Sequence, residues 1–203
     1  MRTTHTLLLL STALMLGACQ KPEPATPATE ATTATPEAAP APAETAASTP
    51  TVAASATATL KPTQGNQTAG EVTFTVVDGG IEISGTISGL KLGSQHGFHV
   101  HEKGDCSAAD ASSAGGHFNP ASSQHGQVGH GAHHAGDSNN IAADDQGVAT
   151  VATRLEGATI GDGASTDVVG KGVIVHADPD DYVTQPTGNA GARLACGVIA
   201  LSQ

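Results

Sequence analysis

The sequence has no tryptophan, one tyrosine and three phenylalanines. Basic residues are also scarce: 8 Lys+Arg stand against 19 Asp+Glu, a formal net charge of −11. That balance argues against nucleic acid as a partner, because phosphate recognition needs a basic face. No apolar run is long enough to span a bilayer; the N-terminal one falls short. Beyond residue 56 no stretch carries a sustained helical period with caps, which leaves β structure. From Gln20 to Ala56 bulky apolar side chains are almost absent, and seven of the 11 prolines lie there. Such a segment cannot bury enough surface to offset its ordering entropy, so it is expected to stay extended and solvated. It also lacks the arginine-flanked PxxP pattern of a Pro-rich ligand.

What is present begins with Arg2, then the apolar runs Leu7–Leu10 and Ala13–Leu16, then Leu16-Gly17-Ala18-Cys19. A basic end, a short hydrophobic stretch and small residues before a cleavage point make a signal peptide over 1–18. Leu-Gly-Ala-Cys resembles a bacterial lipobox, in which the cysteine, here Cys19, becomes the lipidated first residue. Residues 19–56 then form a tether and residues 57–203 a single domain of ordinary size. Once Cys19 is assigned to lipid, Cys106 and Cys196 remain as one possible pair, and export favours a disulfide.

The domain reads as β throughout. Val72, Phe74 and Val76 alternate with polar residues, Asp78-Gly79-Gly80 offers a hairpin turn, and Ile81, Ile83 and Ile87 resume the alternation. Further strands are expected at 97–102, 140–143, 148–154, 172–176 and 194–201, with Asp145-Gln146-Gly147 as a second hairpin turn. Short strands and Gly-rich turns give a β-sandwich or barrel. Two long irregular loops, 103–138 and 177–193, need function or a cross-link to organise them.

Eight of the ten histidines fall between His96 and His134. Phe98-His99-Val100-His101 in a strand would put both histidines on one face and Phe98 and Val100 in the core. His117 lies in Gly-His-Phe-Asn-Pro, His134 in His-Ala-Gly-Asp, and His176 closes the run Val173-Ile174-Val175. Such distinct settings differ from a low-complexity metal-buffering tail. Imidazole suits copper and zinc, and a carboxylate is a common further zinc ligand. Two metal sites sharing a ligand would use six histidines and Asp137.

Two segments are specific: GFHVHEKGD over residues 97–105 and GNAGARLACGVI over residues 188–199. On these, and on the histidines between them, the chain resembles the copper,zinc superoxide dismutases, particularly exported bacterial members. The resemblance covers nearly all of residues 57–203. It implies an eight-stranded Greek-key β-barrel of immunoglobulin-like sandwich character. It implies copper on His99, His101, His117 and His176, and zinc on His117, His125, His134 and Asp137, with His117 as a bridging imidazolate. Asp180 matches the carboxylate that links a ligand of each metal, and Asp178 and Asp181 are the alternatives for that role. His96 matches a bracing position, whereas His130 and His133 match no ligand. The resemblance also implies a Cys106–Cys196 disulfide.

The implied reaction is dismutation of superoxide to oxygen and hydrogen peroxide, with copper alternating between Cu(II) and Cu(I) and zinc structural. His117 would take up and return a proton, Arg193 would attract the anion, and Thr187 would face it across the channel mouth. Lys103 and Lys171 are the other basic residues that could assist steering. The expected setting is the periplasm, with membrane attachment only through the N-terminal lipid; Gln20 after Cys19 resembles the outer-membrane sorting signal. Monomer and homodimer both stay open. The competing reading is a periplasmic copper- and zinc-binding protein on the same fold without turnover; Arg193 and Thr187 speak for the enzyme, since storage requires neither.

Overall fold

The computed structural model describes residues 54–203, so the signal peptide, Cys19 and most of the tether lie outside the described residues. Ten strands run in the order β1 Ser55–Pro62, β2 Ala69–Val77, β3 Gly80–Ser88, β4 Gln95–His96, β5 Phe98–His101, β6 Ile141–Ala142, β7 Ala149–Leu155, β8 Gly172–His176, β9 Arg193–Val198 and β10 Ala200–Leu201. The main sheet is antiparallel in the order β5-β8-β9-β1-β2-β3-β7, with β10 pairing β1. After the β1-β2-β3 meander the chain crosses to the far edge for β5, returns beside β3 as β7, and crosses again to β8. The sheet curls around one core that joins Phe98 and Val100 of β5 to Ile141, Ala149 and Val151 at the opposite edge. The small β4–β6 pair links the two edges, because β4 runs into β5 and β6 turns into β7.

The hairpin at Asp78-Gly79 forms as expected, with Val77 opposite Gly80 and Gly79 at φ 82, a conformation open to glycine at little cost. Gly85 interrupts the isoleucine alternation in β3 because a Cβ there would lie 2.2 Å from the Glu71 carbonyl oxygen. The turn at 144–148 also forms, closed by Asp144 N–H to the Val148 carbonyl at 2.9 Å. It does not make a hairpin ladder, since β6 pairs β4 and β7 pairs β3.

Three expectations need correction. The tether ends before Ser55 rather than at Ala56: β1 starts at Ser55 and Ala56 is fully buried. Alternating Ala and Thr looks like low-complexity linker, yet Ala56 and Ala58 are small enough to line the core where β1 crosses Phe74 and Val72. Val76 is 40% exposed rather than inward, because the β1 ladder has already ended at Ser55 opposite Thr75. The expected single strand 194–201 is split into β9 and β10, separated by buried Ile199.

Strand parity then positions the chemistry. In β5, Phe98 and Val100 point into the main core while His99 and His101 share the outer face, as period 2 requires. In β8, Val173 and Val175 face the core, and Ile174 and His176 point outward beside His99 and His101. Loop 103–138 covers that outer face. Ala111, Ala114, Ile174 and Cys196 form a second apolar cluster beneath it, and the Cys106–Cys196 disulfide ties the loop to β9 across 90 residues of sequence. A cross-link closing a loop of that size contributes about 2–5 kcal/mol.

Candidate metal centre

Six imidazoles and two carboxylates pack together on the outer face of β5 and β8, all of them buried. The six imidazoles and Asp137 form two sets of four whose ligand atoms lie within 4.8 Å of one another: His99, His101, His117 and His176, and His117, His125, His134 and Asp137. His117 belongs to both. The residues expected from the sequence are therefore brought together, with β5 supplying His99 and His101, the end of β8 supplying His176, and loop 103–138 supplying the remainder.

Hydrogen bonds decide which nitrogen of each ring is free. A carbonyl or carboxylate oxygen only accepts, so any ring nitrogen facing one must carry the proton. His101 Nδ1 donates to the Gly115 carbonyl at 2.9 Å and His176 Nδ1 to the Gly191 carbonyl at 3.3 Å. Both Nε2 atoms are then bare, and they face each other at 3.3 Å. Burial holds both rings well below the ordinary histidine pKa, reinforced by neighbouring histidines, so protonation does not relieve the opposed lone pairs. His99 Nε2 donates to Asp180 Oδ2 at 2.7 Å, which leaves Nδ1 buried and unpartnered. His117 Nδ1 donates to Asp137 Oδ1 at 2.7 Å, and its Nε2 is likewise unpartnered. Four bare nitrogens thus converge where a buried group without a partner is costly. A cation resolves all four at once.

The second set centres on Asp137. Its carboxylate accepts from His117 Nδ1 and from His125 Nδ1 at 3.0 Å, and from the backbone N–H groups of His134 at 2.8 Å and Gly126 at 3.2 Å. His134 Nδ1 lies 3.3 Å from Asp137 Oδ1 without hydrogen-bond alignment. Burial alone would raise the Asp137 pKa, but the bonds from His117, His125 and His134 drive it far below the carboxylate range. His125 has a carboxylate at each nitrogen, with Nε2 3.0 Å from Asp180 Oδ1. Burial opposes its charge, yet Asp137 and Asp180 outweigh burial and raise it to about 9. His117 goes the other way: burial lowers it to about 4 despite the Asp137 bond. Three imidazole Nδ1 atoms and one carboxylate make a donor set suited to zinc, and four imidazoles make one suited to copper.

Asp180 bridges the two sets through His99 and His125, as anticipated, and its carboxyl is held well below its ordinary range: the bonds from these two histidines outweigh burial. Asp178 and Asp181 are exposed; Asp181 caps the backbone of Val183 and Thr184. His96 donates from Nδ1 to the His176 carbonyl at 2.8 Å, bracing the end of β8. His130 is exposed, and His133 Nδ1 donates to the His134 carbonyl while its Nε2 lies 3.6 Å from Glu156. The half-buried Arg193 donates to the Ala111 and Gly115 carbonyls, each at 2.6 Å, so Gly115 serves Arg193 and His101 together. Thr187 is half-buried in loop 177–193. Lys103 pairs with Glu102 at 3.9 Å and Lys171 lies over the Phe118 ring at 5.0 Å.

Sequence reasoning missed Asn140, Tyr182 and Gln185. Asn140 accepts the Asp180 N–H at 2.8 Å and donates from its side chain to the Asp180 carbonyl at 2.9 Å, while its own N–H donates to the Tyr182 hydroxyl at 2.9 Å. The only hint was position: Asn140 is polar just before an apolar strand, and Tyr182 is the single tyrosine, two residues from Asp180. Gly188 also closes on the site. At φ +64, its backbone lies so near the bridge that a Cβ would fall 1.8 Å from Asp180 Oδ1 and 2.6 Å from His125 Nε2.

That close approach yields a controlled comparison. Gly163→Ala, at φ +70 with nothing within 4 Å of the added atom, should cost only backbone strain of about 1 kcal/mol. Gly188→Ala adds displacement of Asp180, so it should unfold at lower denaturant than Gly163→Ala and retain less metal after dialysis. Equal midpoints and equal metal content would show that the loop yields without disturbing the bridge.

The family model described as Copper/zinc superoxide dismutase (SODC) matches residues 68–199. A curated superoxide dismutase [Cu-Zn] of Caulobacter vibrioides is 44% identical over 151 residues, covering 71% of this chain and 85% of that protein. Among solved structures, a SOD-like protein from Bacillus subtilis aligns with a TM-score of 0.64 at 34% identity, covering 70% of this chain and 96% of that one. The clock protein EA4 aligns with a TM-score of 0.65 at 36% identity, covering 75% and 97%.

Proposed function

The chain belongs to the copper/zinc superoxide dismutase family of oxidoreductases, and from that premise we propose that it dismutes superoxide in the periplasm while tethered to the outer membrane through lipid on Cys19. Copper would be held by His99 Nδ1 and by Nε2 of His101, His117 and His176. Zinc would be held by Nδ1 of His117, His125 and His134 and by Asp137. The observation that carries this reading is the proton arrangement: the nitrogens left bare by hydrogen bonding point at one another.

When bound, copper supplies one-electron chemistry between Cu(II) and Cu(I), and zinc supplies fixed charge without redox change. The side chains do the rest. Two superoxide anions and two protons are consumed in giving oxygen and hydrogen peroxide. His117 Nε2 takes up one of those protons in the first half of the cycle and returns it in the second, acting as both ligand and acid–base group. Its ring cannot drift meanwhile, because Nδ1 stays within the Asp137 set. Asp180 keeps His99 and His125 oriented through their Nε2–H groups. Arg193 attracts the anion; its guanidinium is held by two carbonyls and, among the described residues, has no carboxylate bound to it. Thr187 would face the anion from across the channel mouth, the position its match to the family implies. Every ligand of both sets comes from one chain, so neither set needs a second copy to complete it. Metal storage without turnover is the lesser reading, since nothing in storage calls for a fixed guanidinium.

Three outcomes are expected. The full chain loaded with both metals should remove superoxide at a rate that falls as salt rises, and Arg193→Ala should slow it about tenfold or more. Copper content should not change in that variant; loss of copper would end the steering role. A second measurement follows the protons. His125, at about 9, is protonated at pH 7 before zinc arrives and must give up that proton on binding. His117, at about 4, is already neutral, so it loses its remaining proton only when both nitrogens are engaged. Calorimetry at pH 7 in buffers of different ionisation enthalpy should therefore read about one proton released with zinc and a further one when copper follows; a single release would exclude a bridging imidazolate. Third, metabolic labelling with fatty acid should mark the chain and be abolished in Cys19→Ala; unlabelled, freely soluble protein would remove the anchor.

A further inference from the structure

Gln185 is an exposed residue of loop 181–188, yet both ends of its amide are engaged by one distant residue. Its Oε1 accepts the His125 backbone N–H at 2.9 Å, and its Nε2 donates to the His125 carbonyl at 2.9 Å. Sixty positions separate the pair. Neither backbone group of His125 has another hydrogen-bond partner among the described residues. The clasp is made from a stiff base. Asp181 N–H donates to the Gly188 carbonyl at 2.9 Å and Gly188 N–H to the Thr184 carbonyl at 2.7 Å. The Asp181 carboxylate also accepts from the Val183 and Thr184 N–H groups and the Thr184 hydroxyl.

Backbone position matters for His125 more than for a ring in an open strand. Its two nitrogens must meet Asp137 and Asp180 simultaneously, each at 3.0 Å, so a tilt of the backbone that suits one bond lengthens the other. With the N–H and the carbonyl both held, only the two side-chain torsions remain to be set, and the carboxylates set them. Asn140 makes the same two-point clasp on Asp180. The two halves of the His125–Asp180 bond are thus each fixed at the backbone by a side-chain amide.

The geometry points to Gln185 as a positioning residue for zinc: by holding both backbone polar groups of His125 it sets that ring against Asp137 and Asp180 and fastens the zinc loop to loop 181–188. This rests on the reading of His125 as a zinc ligand.

The test uses the full chain, with zinc and copper affinities measured separately by competition against chromophoric chelators and with Co(II) substituted for zinc as a spectroscopic probe. Gln185→Ala should weaken zinc about tenfold to a hundredfold, the usual effect of removing a residue that orients a ligand. Copper affinity should stay within twofold, and the visible Co(II) bands should shift. Gln185→Glu keeps an acceptor for the N–H but sets a carboxylate against the His125 carbonyl, so it should fall between the wild type and Gln185→Ala. Gln124→Ala, an exposed neighbour, should match the wild type. His125→Ala probes the underlying reading and should lose zinc. If His125→Ala kept zinc at full affinity, that reading and this inference would fall together. If it lost zinc while Gln185→Ala bound zinc within twofold and left the Co(II) bands unmoved, only the positioning role would be overturned. An equal fall of copper and zinc in Gln185→Ala would overturn it too, since that signifies general loosening of the loops.

Discussion

The arrangement hangs on one buried carboxylate shared by two imidazoles. Asp180 accepts from His99 Nε2 and His125 Nε2, and in doing so it fixes which nitrogen of each ring is left for a cation. Had the His99 ring been free to flip, its bare Nδ1 would not converge with the other three. A buried carboxylate is expensive unless its lone pairs are satisfied, and Asp180 accepts three bonds, the third from the Tyr182 N–H at 2.7 Å. The backbone of Asp180 is in turn clasped by Asn140. The segment that leads into β6 is therefore tied through one aspartate to rings that belong to different metal sets.

Neither long loop has regular structure enough to position anything by itself; the described part of loop 103–138 contains a single short 3-10 turn at Ser112–Ala114. What they have is cross-linking. The disulfide ties Cys106 to β9, Arg193 ties β9 to Ala111 and Gly115, and Gly115 ties on to His101. On the zinc side the Gly136 N–H donates to the Phe118 carbonyl and its carbonyl accepts the Val100 N–H, both at 2.8 Å, stitching the loop to β5. Ordering about fifty loop residues costs considerable entropy, and these ties, with whatever metals occupy the centre, offset it. Metal binding and loop order are then one process rather than two.

Much of this was legible in the sequence because it obeys short periods. His99 and His101 share a face because strand side chains alternate, and His176 joins them by the same parity in β8. Asp137 follows His134 by three residues, close enough for the carboxylate to cap the His134 N–H. The resemblance supplied the remaining ligands. What could not be read were contacts between a side chain and a remote backbone: Asn140 to Asp180, Gln185 to His125, Arg193 to Gly115. An amide that binds a peptide group needs no particular partner residue, so no pairing of residue types betrays it. The start of β1 was hidden for a different reason. Alternating Ala and Thr carries too little apolar contrast to distinguish a strand from a linker, and only Phe74 and Val72 opposite give Ala56 and Ala58 something to pack against.

The placement of Arg193 bears on whether the centre is built to turn over substrate or merely to hold ions. A cation-holding site in an acidic protein gains nothing from a guanidinium nearby, because positive charge repels the metals it would store. Here the guanidinium is half-buried, and two of its nitrogens donate to carbonyls at 2.6 Å, one of which also accepts from a copper-set histidine. Carbonyl acceptors fix its direction without neutralising it, as a carboxylate partner would. The remaining donors and the full charge stay available to an incoming anion. Asp110 also attracts it, but that carboxylate is exposed and its pull is screened by solvent. In a chain of net charge −11, this guanidinium is joined to the metal-ligating set through the Gly115 carbonyl it shares with His101, a placement that ion storage does not call for.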